Sequence, residues 1–310
     1  MTHRRAVVAL DVGGTKTAAG LFLETGESLN EKTIPTARDS AQESVSQLVS
    51  LVEEALGAAP RDLSIPAVGI VVPGWVNRRE RTVWAPNLCG WDHLPLQSLL
   101  EQRLQLPIVL DSDRSAYVKG ETWLGIAQGL TDVVFLAVGT GIGAGILSAG
   151  RIIHGYDDLA GAVGWLALNP VFEELYARMG CFEAEASGNS IGRKASTERL
   201  FGDRPGVTAR DVLAALESGD ERARALMSGV VVYLGMGIAN LVSTLNPQMV
   251  VLGGGVFQHP SRLFDQVRAE FRRWAQPFAA ERVRVELSML GERAGLAGAA
   301  CIALENSLPA

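Results

Sequence analysis

Asp11, Gly13, Gly14, Thr15 and Lys16 stand almost side by side in "VVALDVGGTKTAAGLF", residues 7–22, between two apolar, β-branched runs. A turn that only joins two strands needs one or two glycines. This one adds a carboxylate, a hydroxyl and an ammonium. Backbone N–H groups in such turns form concave nests that bind anions. A second turn, carrying Gly139, Thr140, Gly141 and Gly143, lies in "VVFLAVGTGIGAGILS" and aligns with the first without a gap at an offset of 126 residues. Two such nests facing one another could grip a polyphosphate from both sides. A third cluster, Gly253, Gly254 and Gly255, follows the strand-like Met249–Leu252. There the backbone can approach a flat ligand such as a nucleotide base, or it can simply connect strand to helix.

Phosphate chemistry also needs a base. "PIVLDSDRSAYVKGE" ends a strand near Asp111 and starts a helix near Ser115. In α/β sheets the carboxyl ends of strands are where ligands bind. Either Asp111 or Asp113 could accept a proton from an attacking hydroxyl there, and either could merely cap the helix. Two familiar nucleotide motifs are excluded. No G-x-x-x-x-G-K-[ST] occurs, so this is not a P-loop. "GTGIGA" fits the loose dinucleotide fingerprint, but that motif must open a helix, and "GILSAGRII" continues as β-pattern through a turn at Gly150.

The elements that must position these residues alternate. Residues 5–10 and 15–23 read as strands around the first glycine turn. Ser40 and Glu43 have capping-box spacing, followed by Val45, Leu48, Val49, Val52 and Leu56 at helical intervals. "IPAVGIVVPG" reads as a buried strand closed by Pro73-Gly74, and a helix around 95–105 leads into the strand "PIVLD". Alternating strands and helices imply an α/β architecture. The repeated glycine turn implies two domains on one plan, expected over residues 1–112 plus 294–310 and over 113–293.

Bulk properties narrow the class. The 310 residues are 47% hydrophobic and 20% charged, enough for two cores, and the net charge is −6 with no basic patch. That argues against a nucleic-acid partner. Cys89, Cys181 and Cys301 fit no CxxC spacing, so a reducing, cytoplasmic setting is expected. Between Arg5 and Asp11 there are only five apolar residues, too few for a secretory core. The uncharged run Ala225–Gln248 contains polar residues and glycines, and reads as a buried helix rather than a membrane span.

Taken together, these stretches resemble the ROK family (repressors, open reading frames of unknown function, and sugar kinases). The resemblance runs almost end to end, through "DVGGTKTAAGLF", "GIVVPGWVN", "APNLCGW", "SDRSAYVKGE", "VGTGIGAGI", "CFEAEASGNSIGRKA", "LGMGIANLVSTLNPQMVVLGGGV" and "GERAGLAGAA". It implies the two-domain actin/hexokinase-like (ribonuclease-H-like) α/β fold with ATP in the interdomain cleft. The turns Asp11–Lys16 and Gly139–Gly143 would then bind phosphates, and Gly254 and Gly255 would lie by the adenosine. The family's Asn-Asp-Ala-Asn pattern falls on Ser112, Asp113, Arg114 and Ser115, which makes Asp113 the implied catalytic base. Asp11 would hold Mg²⁺ through water. Gly74, Asn87, Ser112, Asp113, Trp165 and Glu183 are the implied sugar-side positions.

The chain departs from the family at the sugar. The family's Glu-x-Gly-His reads Ala162-Val163-Gly164-Trp165, and its zinc motif reads Glu174, Tyr176, Ala177, Gly180 and Cys181. One cysteine survives of a set that needs four ligands, so no zinc site is expected. The resemblance therefore implies an ATP-dependent sugar kinase with altered specificity, expected as a homodimer. A non-catalytic sugar- or nucleotide-sensing regulator without a DNA-binding domain is the alternative, which the retained Asp113 disfavours.

Overall fold

The structure is a computed structural model that describes residues 4–258 and 262–307. The chain forms two compact units. The first comprises the residues up to Gly129, the segment His154–Ala160 and the chain from Glu292; the second comprises Leu130–Ile153 and Gly161–Gly291.

In the first unit β1 (Arg4–Val12), β2 (Lys16–Leu23), β3 (Ser28–Pro35), β4 (Leu63–Ser64), β5 (Val68–Val72) and β8 (Ile108–Ser112) form one sheet, in the order β3-β2-β1-β5-β8 with β4 beside the start of β1. The short β6 (Trp75–Asn77) and β7 (Thr82–Trp84) make a separate hairpin. Alternation sorts the faces. Ala6, Val8, Leu10, Val68, Ile70 and Leu110 share a core with Val45 and Leu48 of the helix Ala41–Gly57 and Leu96 and Leu100 of the helix Leu96–Leu104. Ser40 caps the first of these helices by accepting the Glu43 N–H at 3.2 Å, which is the Ser40 half of the expected box.

The opposite face of the sheet receives the helix Ala294–Asn306. A side chain on Gly69 of β5 would stand 2.2 Å from the Ala299 carbonyl oxygen. The same helix fixes the domain boundary, which differs from the expected break at 112/113. The helix Asp113–Trp123 stays with the first unit because it is packed backbone to backbone on Ala294–Asn306. A Cβ on Gly298 would meet the Ala116 carbonyl oxygen at 1.9 Å, and one on Gly120 the Ala294 carbonyl oxygen at 2.3 Å. Only glycine permits so close a crossing.

The second unit repeats the plan. Its strands β9 (Val133–Val138), β10 (Ile142–Ser148), β11 (Arg151–Ile152), β12 (Met249–Gly253) and β13 (Arg284–Leu287) run in the order β11-β10-β9-β12-β13. As in the first unit, an antiparallel hairpin is followed by two parallel partners. The ungapped sequence repeat conceals one difference. Val12 pairs with Thr17, whereas Val138 pairs with Ile142, so the second turn is one residue tighter. The helix Glu221–Leu245 is long and apolar enough to cross a membrane by length and composition, but its Leu226, Val230, Leu234 and Ile238 are buried in this unit's core. Gly237 lies under the Phe182 ring, with 2.4 Å between an added Cβ and the ring.

Candidate active site

In the first unit the parallel strands place Asp11, Val71 and Asp111 in one register row, at the carboxyl ends of β1, β5 and β8. Both carboxylates therefore rise from the same edge of the sheet. The turn after Asp11 is closed by Gly13 N–H donating to the Lys16 carbonyl at 2.9 Å. It is braced from outside by Thr36, whose hydroxyl donates to the Gly13 carbonyl at 2.8 Å. Gly14 faces Asn87, with 3.9 Å between its ideal Cβ and the Asn87 Cβ, so the turn and this sugar-side position are neighbours. Thr15 and Lys16 are exposed, and the Lys16 ammonium reaches the Glu292 carboxylate at 2.5 Å. Such an exposed pair holds its partners weakly. Gly74, at φ +91°, closes the turn between β5 and β6 directly over the Trp84 carbonyl.

Asp11 is the unusual carboxyl of this edge. Burial and the neighbouring Asp113 charge push it up to about 7, against the pull of Lys16. Its Oδ2 lies where a side chain on Gly295 would be, 2.1 Å from an ideal Cβ. Two mutually repelling carboxylates at one edge of the sheet fit a divalent metal ion, which would add positive charge to that of Lys16 and Arg114. Asp11, close to the first glycine turn, is the residue that would hold one.

Asp111 and Asp113 are separated in character by their partners, and neither caps the helix. That part is taken by Ser112, whose Oγ accepts the Ser115 N–H at 3.3 Å. Asp111 is only 3% exposed and fully engaged. Its Oδ2 takes Arg78 Nη2 at 2.5 Å and lies 3.2 Å from His154 Nε2, while Oδ1 accepts the Ser112 N–H at 2.7 Å. Burial alone would raise this carboxyl, but the His154 hydrogen bond and the Arg78 charge outweigh it and hold Asp111 below the usual carboxylate range. Asp113 shifts the other way. Burial raises it more than the Arg114 charge, the Arg114 N–H at 2.7 Å and the Tyr117 hydroxyl at 3.4 Å lower it. Tyr117, pushed well above its ordinary value by burial and by Asp113 and Asp11, stays a phenol that donates. A buried carboxylate of raised pKa is suited to accept a proton. Asp111, paired with Arg78 and hydrogen-bonded to His154, is not.

The second unit gathers the other implied residues. Gly139 N–H donates to the Gly141 carbonyl at 2.9 Å, and the Gly139 carbonyl accepts Gly188 N–H at 2.7 Å, which ties the turn to the start of the helix Gly188–Thr197. Gly255 N lies 3.8 Å from an ideal Cβ on Gly139, so the turn and the third glycine cluster are adjacent. Gly254, at φ +87°, rests 2.5 Å from the Val138 carbonyl oxygen by the same measure. Thr140 is exposed, and Gly143 sits in β10 opposite Ala137. Glu183 closes the other side: its Oε2 accepts the Ile142 N–H at 2.8 Å and lies against Gly141 and Gly164. Burial raises this carboxyl against the Ile142 hydrogen bond.

Trp165 ends the 3₁₀ turn Val163–Trp165 and is 57% exposed, so its indole does not serve as core packing. Cys181 is buried at the start of the helix Cys181–Ala186. Around it runs a network that the sequence reading missed. Tyr176 Oη donates to Glu185 Oε1 at 2.5 Å and accepts from Asn169 Nδ2 at 3.0 Å, while Lys194 Nζ donates to Glu185 Oε2 at 2.5 Å. Glu185 and Lys194 lie in two successive helices, and nothing in the sequence brings Tyr176 to them. His154, Asp158 and Arg78 were missed likewise, since only the fold carries residues 154–160 to β8.

Comparison with known proteins identifies the family and the fold. The glucokinase of Halalkalibacterium halodurans is 30% identical over 308 residues, covering 95% of this chain and 93% of that protein. The crystal structure of a ROK hexokinase from Thermus thermophilus superposes with a TM-score of 0.85 at 33% identity, covering 97% of this chain and 98% of that one. A ROK family glucokinase from Streptomyces griseus, solved in complex with glucose and AMPPNP, gives 0.79 at 29% identity, with 97% and 99% covered. Both support the actin/hexokinase-like two-domain fold. Residues 7–306 match the ROK family, and the chain belongs to it.

Proposed function

We propose that this protein is an ATP-dependent sugar kinase in which Asp113 accepts the proton of the attacking sugar hydroxyl. The observation that carries the reading is the contrast at the end of β8. Asp111 is held low by its His154 hydrogen bond and the Arg78 charge, whereas Asp113 is raised by burial and oriented by Arg114 N–H and the Tyr117 hydroxyl. A positioned base of this kind contributes roughly 10²–10⁴ in rate. The amides of the Asp11–Lys16 and Gly139–Gly143 turns would bind the phosphates, with Gly254 and Gly255 alongside the adenosine. Mg²⁺ held near Asp11 supplies positive charge to the phosphoryl oxygens when bound. The kinase names and the AMPPNP complex among the relatives support ATP as donor.

The acceptor is a hexose or hexose derivative with altered requirements at the positions of Ala162 and Trp165. Gly74, Asn87, Ser112 and Glu183 form the remainder of the sugar-side set. A sugar hydroxyl placed against the exposed indole without a partner loses about 1–3 kcal/mol of hydration. An ATP-consumption screen across hexoses, amino sugars, deoxy sugars and polyols tests the reading. Glucose is expected to fall roughly tenfold to a few hundredfold below the best sugar in kcat/KM, by that same hydration loss. Glucose turnover equal to the best sugar overturns the altered specificity. No turnover with any acceptor would favour the sensing regulator instead.

A further inference from the structure

Residues His154–Ala160 leave the second unit's chain after β11 and return to it at Gly161, yet they are built into the first unit. Four hydrogen bonds tie this strap to the first unit. His154 Nε2 lies 3.2 Å from Asp111 Oδ2. Arg78 Nη1 donates to Asp158 Oδ1 at 3.0 Å, and the Arg78 backbone N–H donates to Asp158 Oδ2, also at 3.0 Å. Trp75 Nε1 donates to the Asp157 carbonyl at 2.8 Å. Arg78 stands at the junction. One guanidinium nitrogen takes Asp158 on the strap and another takes Asp111, whose remaining oxygen holds the Ser112 N–H immediately before Asp113. The two carboxylates have side chains only 15% and 5% exposed, so both are largely withdrawn from water. A planar fork that serves two carboxylates at once is a property of arginine, not of lysine.

We propose that Arg78 is a positioning residue that locks the strap to the backbone presenting Asp113. The strap runs directly into Gly161–Trp165, and Arg78 itself follows β6 in the segment that joins Gly74 to Asn87. The two first-unit stretches that carry sugar-side positions, Gly74 to Asn87 and Ser112–Asp113, are thereby referenced to one guanidinium. The inference rests on the reading of Asp113 as base, and predicts that loss of Arg78 loosens acceptor binding without touching the nucleotide turns.

The test compares Arg78→Ala, Arg78→Lys and Asp158→Asn with wild type, using the best sugar of the screen. In Arg78→Ala the sugar KM is expected to rise about tenfold and kcat to fall about fivefold, with the MgATP KM within about twofold. Arg78→Lys should rescue little of this. Asp158→Asn should reproduce part of it and add nothing to Arg78→Ala, because the two share one contact. Kinetic constants unchanged per folded molecule, or a loss only of thermal stability, overturn the proposal. Hydrogen exchange keeps it separate from the kinase reading. Even if wild type phosphorylates no sugar, Arg78→Ala should speed exchange at both the Ser112 and the Ala160 amides, and unaltered rates there overturn it. Asp113→Asn serves as the control, losing turnover with neither amide affected.

Discussion

The Asp11 carboxylate occupies the space in which a Gly295 side chain would lie, with 2.1 Å between Oδ2 and an ideal Cβ. Gly295 is the second residue of the helix Ala294–Asn306, so the last helix is cut away to seat the first strand's carboxylate. Gly295→Ala is expected to push Asp11 off its seat, at an overpacking cost of about 1–3 kcal/mol. The Mg²⁺ concentration giving half-maximal turnover should rise several-fold while the sugar KM holds. A Mg²⁺ titration indistinguishable from wild type would show that the seat is dispensable.

Asp113→Asn removes the base but leaves a side chain of the same shape. The expected result is a loss of the order of 10²–10⁴ in kcat with ATP affinity retained. Calorimetric ATP binding alongside turnover separates the two. Near-normal turnover would move the base elsewhere, and the engaged Asp111 makes a poor substitute.

Asp111 also gives stability a pH dependence of definite sign. Its folded carboxyl lies below the ordinary value of 3.8, so the folded state binds fewer protons than the unfolded one. The stabilisation is complete above the unfolded value and disappears as pH falls through the folded one. Urea unfolding between about pH 5 and pH 2.5 should therefore show a shallower acid slope in Asp111→Asn than in wild type. Parallel curves would mean that Asp111 titrates normally.

Tyr176→Phe breaks the hydrogen bond to Glu185 and strands the Asn169 amide. A loss of about 1.5–3 kcal/mol is expected for a bond to a charged group. Chelators that spare Mg²⁺ should have no effect on either protein, and elemental analysis of untagged protein should find no stoichiometric zinc. One zinc per chain would assign the stability of this region to a metal instead.

What could be read in advance followed from local pattern. The glycine turns, their flanking strands and the helix after Asp113 are all encoded by neighbours in the chain, and they were legible. The two carboxylates of "DSD" were visible as candidates, but the sequence alone left them equivalent. Their difference arises from Arg78 and His154, which are 33 and 43 residues away from Asp111. The domain boundary failed for a related reason. The helix Asp113–Trp123 belongs with Ala294–Asn306 through glycine contacts that no periodicity reports. The one-residue shift between the two hairpins was likewise invisible, because an ungapped alignment compares residues and not strand register.

The helix Ala294–Asn306 is also the last described element to leave the ribosome. Until it emerges, β1, β5 and β8 lack their main cover on the face that carries Gly69, and Asp113–Trp123 lacks the surface into which its Gly120 fits. The second unit, by contrast, has all its strands and helices synthesised before that point. During translation the later unit is therefore the first able to finish, and the earlier one waits with an apolar sheet face open to chaperones or to aggregation. A premature stop in the final helix would strand the chain in that condition.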